Sequence, residues 1–531
     1  MIKVVLTTSL AVLVLLPATA AGAEPTFAEA PSAKLEGKNA RISFAAAAPC
    51  DVEVTILDVK GNEVRHLAAG LLGAKEAAPP LAPKSLSQSI LWDRTGDRGK
   101  PVAGTGFKVR IRLGLKAKGA RTVLKDLTPV KPWRTGKVIT DPDPAEPGKP
   151  GLDPAQAKTK EGKLAFTSQT YDWYVYVDKE DDRIYASHVA YPSIIGKAYR
   201  YVGSTGKAEC IDGEIRKLRR PGDKFAVGLN GDLLFSPYRR FTRDFKPIPL
   251  PEGINTHEKA LRFDVALWRY QRSRPFQEQW GSGNDAFEGL DGRYYIHCAR
   301  SIPFIRLFIW DTLEKKRALT EGYQPWVDFG KGELAHVACI RVDTKGRIYL
   351  ARVDGPKGAK MPEQCYPKSW KYGSGYGSIL RINPHDRWVK DICLPMGAVP
   401  EDPEERKKGF LWGPNYRLFI PRVEKCYVGV MSHLVSGCCC KSPLFDIDEH
   451  GRLYVPDADK EALVILDNAG NEVLRLERQV EAETAKGKKI NLAWPRRVVC
   501  SRKAIYYTDG INRRVVRVGL GYAAEAACAL P

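Results

Sequence analysis

The chain has 531 residues, is 44% hydrophobic and 27% charged, and sets 83 Lys+Arg against 62 Asp+Glu for a net charge of +21. That length exceeds one ordinary domain, and that apolar content excludes a disordered chain. The one long apolar run lies at the extreme N-terminus, which excludes a multispan membrane protein, and 47 Gly and 37 Pro against 4 Met point to many turns and little long helix.

Residues 1–23 read as a secretory signal. Lys3 supplies the charged start, Val4 to Pro17 the short apolar stretch, and Ala21-Gly22-Ala23 a small-x-small cleavage site before Glu24. The alternative is an uncleaved anchor. Cleavage leaves no integral membrane span, removes only Lys3 from the charge count, and places the product outside the cytoplasm: secreted, periplasmic or on the cell surface. Twelve cysteines then meet an oxidising compartment in which disulfides can form, although spacing alone does not give their connectivity.

Residues 36–116 carry short alternating runs at the spacing of a small antiparallel sandwich. Ala40 to Phe44, Val52 to Asp58, Glu63 to Leu67, Ser89 to Asp93 and Phe107 to Leu113 read as strands, with turns at Lys60-Gly61-Asn62 and Asp97-Arg98-Gly99-Lys100-Pro101. The strings ILDVKGNEVRHL and ILWDRTGDRGKPVAGTGFKVRIRL resemble the Ig-like domain of flagellar hook-capping proteins, through the D-x-x-G-x-x-V-R-x-L hairpin and the W-D-x-x-D-x-x-G turn. The resemblance implies a structural or presenting role with no catalytic residue to carry over. Trp92 is then core, with a ligand platform as the alternative, and Asp93 and Asp97 fix a turn, with calcium binding as the alternative. Residues 117–165 follow as a Pro/Gly-rich linker, in which Asp141, Asp143 and Glu146 read as a solvated loop, with calcium binding as the alternative.

Residues 166–531 repeat one pattern: an apolar strand, a polar turn ending in Gly-Arg or similar, and an aromatic strand. It appears at Asp182-Arg183-Ile184-Tyr185, Gly231-Asp232-Leu233-Leu234-Phe235, Gly292-Arg293-Tyr294-Tyr295, Gly346-Arg347-Ile348-Tyr349, Gly451-Arg452-Leu453-Tyr454 and Lys503-Ala504-Ile505-Tyr506. The doubled interval between Gly346 and Gly451 hides either a degenerate unit or an insertion near Phe410 to Val430. Each unit supplies the strands of one propeller blade, which must stack on its neighbours to bury both faces. The array resembles NHL-repeat β-propellers, a group that includes gluconolactonase-like enzymes. The expectation is an all-β protein: an Ig-like sandwich, then a six-bladed propeller, with seven blades as the alternative. L-D-x-x-G-N-E-V occurs at both Leu57 and Leu466, which reads as shared hairpin chemistry.

No G-x-x-x-x-G-K-[ST] loop, G-x-S-x-G elbow or C-x-x-C-H haem motif is present, and His257-Glu258 lacks the second His of a zincin. Cys438-Cys439-Cys440 puts two thiols on one side of an extended chain, and with His433 and His336, each near the start of a blade, they make a candidate soft-metal set for zinc or copper. The alternative is disulfides or buried thiols acting as small hydrophobes. Trp370, Tyr372 and Tyr376 form a candidate stacking loop, with packing between blades as the alternative; Trp268, Tyr270 and Trp280 also lie in or near loops. Arg216, Lys217, Arg219 and Arg220 form a basic loop. The excess positive charge favours an anionic polysaccharide, lipid headgroup or wall polymer over nucleic acid, the alternative being a merely basic surface. The function expected is non-catalytic binding of a carbohydrate or protein on one propeller face. A metal-dependent lactonase, lyase or hydrolase at the axial channel and a purely structural surface module are the competing readings.

Overall fold

The computed structural model describes residues 24–125 and, in broken stretches, residues 172–531. The first six strands are β1 (Phe27–Glu36), β2 (Asn39–Ala46), β3 (Asp51–Leu57), β4 (Glu63–Leu71), β5 (Ser87–Trp92) and β6 (Lys108–Lys125). They form two antiparallel sheets, β1-β2-β5 and β6-β3-β4. Strict alternation along β5 and the first half of β6 turns every second residue inward. Ile42, Phe44, Ile90 and Trp92 from one sheet thereby meet Val52, Val54, Ile56, Val109 and Ile111 from the other in one core. Each such side chain contributes about 1.5–3 kcal/mol when fully buried. Trp92 packs edge-on against Phe107 with ring centroids 5.2 Å apart and donates from Nε1 to the Thr95 carbonyl.

Six further sheets follow among the described residues, each an antiparallel meander. Blade 1 is β7 (Asp172–Asp178), β8 (Arg183–Ala190), β9 (Ile194–Val202) and β10 (Lys207–Cys210), trailed by a short helix, Asp212–Leu218. Blade 2 is β11 (Phe225–Val227), β12 (Leu233–Phe235), β13 (Arg239–Phe241) and β14 (Pro247–Ile248). Blade 3 is β15 (Asp285–Glu288), β16 (Arg293–Cys298) and β17 (Arg306–Asp311), with β18 (Lys316–Arg317) and β19 (Trp326–Asp328) both paired to β17 as a fourth strand in two pieces. Blade 4 is β20 (Val337–Val342), β21 (Ile348–Val353) and β22 (Ser374–Ile382), then an insertion carrying the hairpin β23 (Gly409–Trp412) and β24 (Leu418–Pro421), then the outer strand β25 (Val423–Val435). Blade 5 is β26 (Asp446–Ile447), β27 (Leu453–Asp457), β28 (Ala462–Leu466) and β29 (Glu472–Leu476), followed by the hairpin β30 (Gln479–Glu481) and β31 (Lys489–Asn491). Blade 6 is β32 (Pro495–Cys500), β33 (Ala504–Asp509) and β34 (Arg514–Ala529). The doubled repeat interval is thus an insertion into blade 4.

The sheets close into a ring. Separate cores join blades 5 and 6, 6 and 1, and 1 and 2. A core containing Leu290 joins blades 3, 4 and 5, and β11 and β12 pack on β15. The first strands run parallel to one another around the axis, as the Leu444–Arg497 parallel bridge between blades 5 and 6 records. Among the described residues these six sheets make a β-propeller of six blades.

Its sixth blade lacks a fourth strand of its own and takes β6 instead. β34 pairs with β6 from Arg514↔Lys125 to Ala529↔Lys108, so one ribbon runs through blade 6 and on into the sandwich. Leu530 ends in the sandwich core. Three expected boundaries therefore move. The sandwich begins at β1, before residue 36; residues 117–125 are the outer strand of blade 6 and not linker; and residues 524–529 belong to the sandwich sheet as well as to the propeller chain. The physical reason is non-local: the small and polar stretch from Ala117 to Thr122 forms a strand because its partner lies some four hundred residues away. Residues 1–23 and 126–171 lie outside the described residues. Among those described, no helix is long and apolar enough to cross a membrane.

Candidate functional site at the seat of the sandwich

The repeat's polar turns explain themselves chemically. In blade 5, Asp448 Oδ1 accepts from the His450 and Arg452 amides at 3.0 and 2.9 Å, and Oδ2 accepts from Arg452 Nε at 2.6 Å. In blade 4, Asp343 treats Lys345 and Arg347 the same way, at 2.9, 3.0 and 2.6 Å. The aromatic of the next strand reaches back to the same carboxylate: Tyr454 to Asp448 at 3.1 Å and Tyr349 to Asp343 at 3.3 Å. Gly231, Gly292, Gly346 and Gly451 all hold φ between +76° and +81°, a region closed to most side chains. The paired L-D-x-x-G-N-E-V strings also fold alike: Asp58 and Asp467 each accept from two downstream amides and from the Asn side chain four residues on.

These turns lie on the propeller rim where strand 1 joins strand 2, and the sandwich sits on that rim. Arg98 lies over Gly292 of blade 3 so closely that a Cβ there would meet its Cζ at 2.8 Å. Glu76 pairs with Lys425 of blade 4 at 3.1 Å. Asp467 of blade 5 accepts from the Leu71 amide at 3.1 Å, and Arg502 of blade 6 pairs with Glu63 at 3.0 Å. β3 explains why this face can be polar yet dry. Val52, Val54 and Ile56 feed the sandwich core, while the alternate face, Asp51, Glu53 and Thr55, is buried too.

Glu53 is the centre of that seat. Its Oε2 accepts from Arg452 at 2.9 Å and from the Tyr522 hydroxyl, and its Oε1 from Arg112 at 3.3 Å. Arg452 also donates to the Tyr522 hydroxyl at 2.9 Å. Burial works against charge on Glu53, but His450 when protonated, Arg452, Tyr522 and Arg112 outweigh it, so the carboxyl lies well below its usual range. Asp51 has fewer such partners. Burial pushes it up to about 6 despite Arg452 and the Leu115 amide it accepts from.

Beside Glu53, two imidazoles meet across the interface. His66 on β4 and His450 of blade 5 lie edge to face, centroids 4.8 Å apart. His66 Nδ1 is 2.6 Å from Asp97 and Nε2 is 3.2 Å from Glu63, so both ring nitrogens face carboxylates. Burial opposes the charge on His66, yet these two acids push it up to about 10. His450 is pulled below its ordinary value, by burial first, against the attraction of Glu53. Asp97 was expected only to shape a turn; it also accepts from the His66 amide at 2.7 Å and clamps that ring.

A second buried ionic group lies among the first strands of the blades. Lys179, just past β7, donates to Asp446 Oδ2 and to the carbonyls of Ile447 and Cys500, each at 2.9 Å. Arg341 of β20 donates to Asp446 Oδ1 at 3.1 Å, and the Cys500 amide to Oδ2 at 3.0 Å. One carboxylate of blade 5 thus ties blades 1, 4 and 6. Burial works against Lys179's charge, but Asp446 outweighs it and holds the ammonium. Burial and Asp446 push the neighbouring Cys500 thiol far up, so it is no nucleophile. The arrangement locks blades together.

Neither cluster contains a sequence-predicted site residue among those described. Trp370, Tyr372, Arg219, Arg220, His336, Cys438 and Cys440 lie outside the described residues, as do Trp268, Tyr270 and Trp280. Arg216 lies on the helix after β10, Tyr376 on β22 and His433 on β25. The β22–β25 register, with Gly375 opposite Leu434 and Gly377 opposite Met431, makes Tyr376 and His433 cross-strand neighbours in the backbone. Among the described residues no disulfide joins Cys50, Cys210, Cys339, Cys426, Cys500 or Cys528. Burial pushes Cys50 up to about 11 and Cys426 up to about 12. Among the described residues, no three His, Cys, Asp or Glu side chains are grouped to hold a metal ion. Sequence reading missed Glu53, His66, Lys179, Asp446 and His450. The one available signal was an acid on the polar face of an otherwise apolar strand.

No protein-family model matches the chain, and no curated protein does. Solved structures resemble it at low identity. A streptogramin B lyase is 10% identical with a TM-score of 0.31, covering 77% of this chain and 97% of its own. A gluconolactonase from Xanthomonas campestris is 9% identical with a TM-score of 0.32, over 67% and 87%. A calcium-binding regucalcin from Agrobacterium tumefaciens is 9% identical with a TM-score of 0.32, over 67% and 92%. Likeness at this level carries no argument about activity, and the propeller assignment rests on this chain's own six sheets.

Proposed function

We propose that this chain is an exported, non-catalytic binding protein that takes a carbohydrate or protein ligand on the propeller rim opposite the sandwich. One observation carries this reading: the sandwich occupies the rim of the strand 1–2 turns across blades 3 to 6, through a buried ion network. The described clusters there are spent on holding parts together. The other rim receives the connections from strand 2 to 3 and from strand 4 to the next strand 1. In chain order, Trp370 and Tyr372 fall between β21 and β22, Arg219 and Arg220 between β10 and β11, His336 before β20, and Cys438 and Cys440 between β25 and β26. In chain order most of the residues singled out for ligand or metal chemistry fall in that second set of connections, while Tyr376 lies on β22 and His433 on β25. The sandwich, read as a hook-capping-type Ig-like module, acts as a stem, and the basic excess favours an anionic polysaccharide. Zinc or copper at His336, His433, Cys438 and Cys440 belongs to the competing lactonase or lyase reading.

The test uses mature protein and a panel of anionic and neutral polysaccharides. The expected result is retention on the anionic members, weakened several-fold by raised salt. It should be weakened again by Arg219→Glu with Arg220→Glu, or by Tyr372→Ala. Retention indifferent to salt and to these variants overturns the reading. Turnover of a lactone, with about one zinc or copper per chain lost on Cys438→Ser and Cys440→Ser, replaces it with the enzyme.

A further inference from the structure

The imidazole pair at the seat has an asymmetry that hydrogen bonding alone dictates. Both nitrogens of His66 face carboxylates, Asp97 and Glu63, which accept and do not donate when ionised. His66 must therefore donate from both, as an imidazolium. His450 has no such pair of acceptors. Its Nε2 lies 3.3 Å from the Thr55 hydroxyl, and its Nδ1 stands 3.9 Å from Glu53 Oε2, beyond hydrogen-bond reach. A neutral His450 ring packs well against the His66 cation. A second imidazolium would put two positive rings 4.8 Å apart in a buried interface.

We propose that the His66–His450 pair is a pH-sensitive latch: with His66 charged and His450 neutral it seats the sandwich on the propeller rim, and a second proton, taken up by His450, unseats it. The ribbon of β6 and β34 still tethers the two parts, so unseating exposes the rim of blades 3 to 6 without separating the sandwich from the propeller.

The groups around the pair set the direction on each side. From β3, Glu53 attracts a second proton to His450, but its Oε2 is already held by Arg452 and Tyr522. From blade 5's own turn, Arg452 repels that proton while Asp448 attracts it, and Asp448 is committed to Arg452; Glu449 attracts the proton of His66. From blade 6 and β6, Arg502 and Arg110 both hold Glu63, the acid under His66. Asp51 keeps its bond to the Leu115 amide inside the sandwich, but burial holds it up at about 6 in the closed seat against Arg452 of blade 5, so opening frees its proton and offsets part of the acid rise; the His450→Gln comparison separates the two.

His450 is held below its ordinary value and His66 above it. Below pH about 6.5 the unseated state gains a proton on His450 that the seated state refuses, and opening rises about tenfold per pH unit. Above pH about 6.5 His66 adds no pH dependence to opening, because Asp97 and Glu63 belong to the sandwich with it and it keeps both acceptors and its proton when the seat opens. Opening is least, and level, above pH about 6.5.

The test is amide exchange on the full mature chain from pH 5 to 9, corrected for intrinsic rates, read at the Leu71 amide and across residues 447–455. The expected profile rises on the acid side and is level above pH about 7. His450→Gln should abolish the acid rise, and His66→Gln, which removes the charge His450 avoids, should weaken it. If either variant fails to fold, ring-proton NMR of the unaltered protein decides, with His66 still protonated at pH 8 and His450 neutral at pH 6. A profile flat from pH 5 to 9, an acid rise that survives in His450→Gln, or two rings titrating together near pH 6.5 overturns the latch.

Discussion

The turns of blades 4 and 5 have the same chemistry and different consequences. Asp343-Arg347-Tyr349 and Asp448-Arg452-Tyr454 share every internal hydrogen bond. In blade 4 the arginine's spare nitrogen faces Glu424 of the same blade at 3.8 Å, an acid 32% exposed. In blade 5 it meets Glu53 of the sandwich at 2.9 Å, an acid 8% exposed. The repeat builds the turn; what the turn recruits decides whether it is local reinforcement or an interface. A buried ion pair is a weak source of net stability but costly to break from one side, which suits a seat that must be made in one register only.

Unequal pairs of substitutions exploit this difference. The largest effect is expected from breaking the buried network: Glu53→Ala should cost about 3–5 kcal/mol in urea unfolding, and Glu424→Ala about 1 kcal/mol or less. Equal costs would erase the distinction between the two turns. Lys179→Met should cost about 3 kcal/mol or more by leaving Asp446 buried and unpaired, and adding Asp446→Asn should recover much of it; no recovery would mean the lysine acts by packing. The seat also sets a pH dependence. His66 is raised in the fold, so its contribution is complete below pH about 6.5 and is lost as pH rises towards 10, at about 1.4 kcal/mol per unit at most. Unfolding free energy measured across that window should fall, and should fall less in His66→Gln, where only the raised buried thiols still contribute above pH about 8.5. The smallest effect comes from glycines. Gly451→Ala meets Asn468 Nδ2 at 2.5 Å and should cost more than Gly487→Ala, where φ is equally positive and nothing lies within 4 Å. The Gly487 change alone should cost about 1 kcal/mol, so the excess measures the steric contact.

Much of the architecture was legible in the sequence because it is local. Strand alternation located β2 to β5 within a few residues, and the Asp-x-x-Gly-Arg turns located the blades because their hydrogen bonds close within six residues. What the sequence hid is pairing at long range. Residues 117–125 have a linker's small side chains and become a strand only against β34. Glu53 and Thr55 sit on the polar side of an alternating strand, which ordinarily faces water, and only the propeller's arrival buries them. His66 and His450 come together from positions no spacing rule connects. Of the ligand and metal candidates, the described backbone brings together only Tyr376 and His433, through the β22–β25 register.

The account stands or falls on the sandwich being seated through Glu53 and Arg452. A double-mutant cycle with Glu53→Gln and Arg452→Met, followed by equilibrium unfolding of the full mature chain at pH 7, tests it directly. The predicted coupling is about 2 kcal/mol or more, with the double variant markedly less damaged than the sum of the singles. Strictly additive losses would mean that the two side chains do not meet, and would contradict the seat.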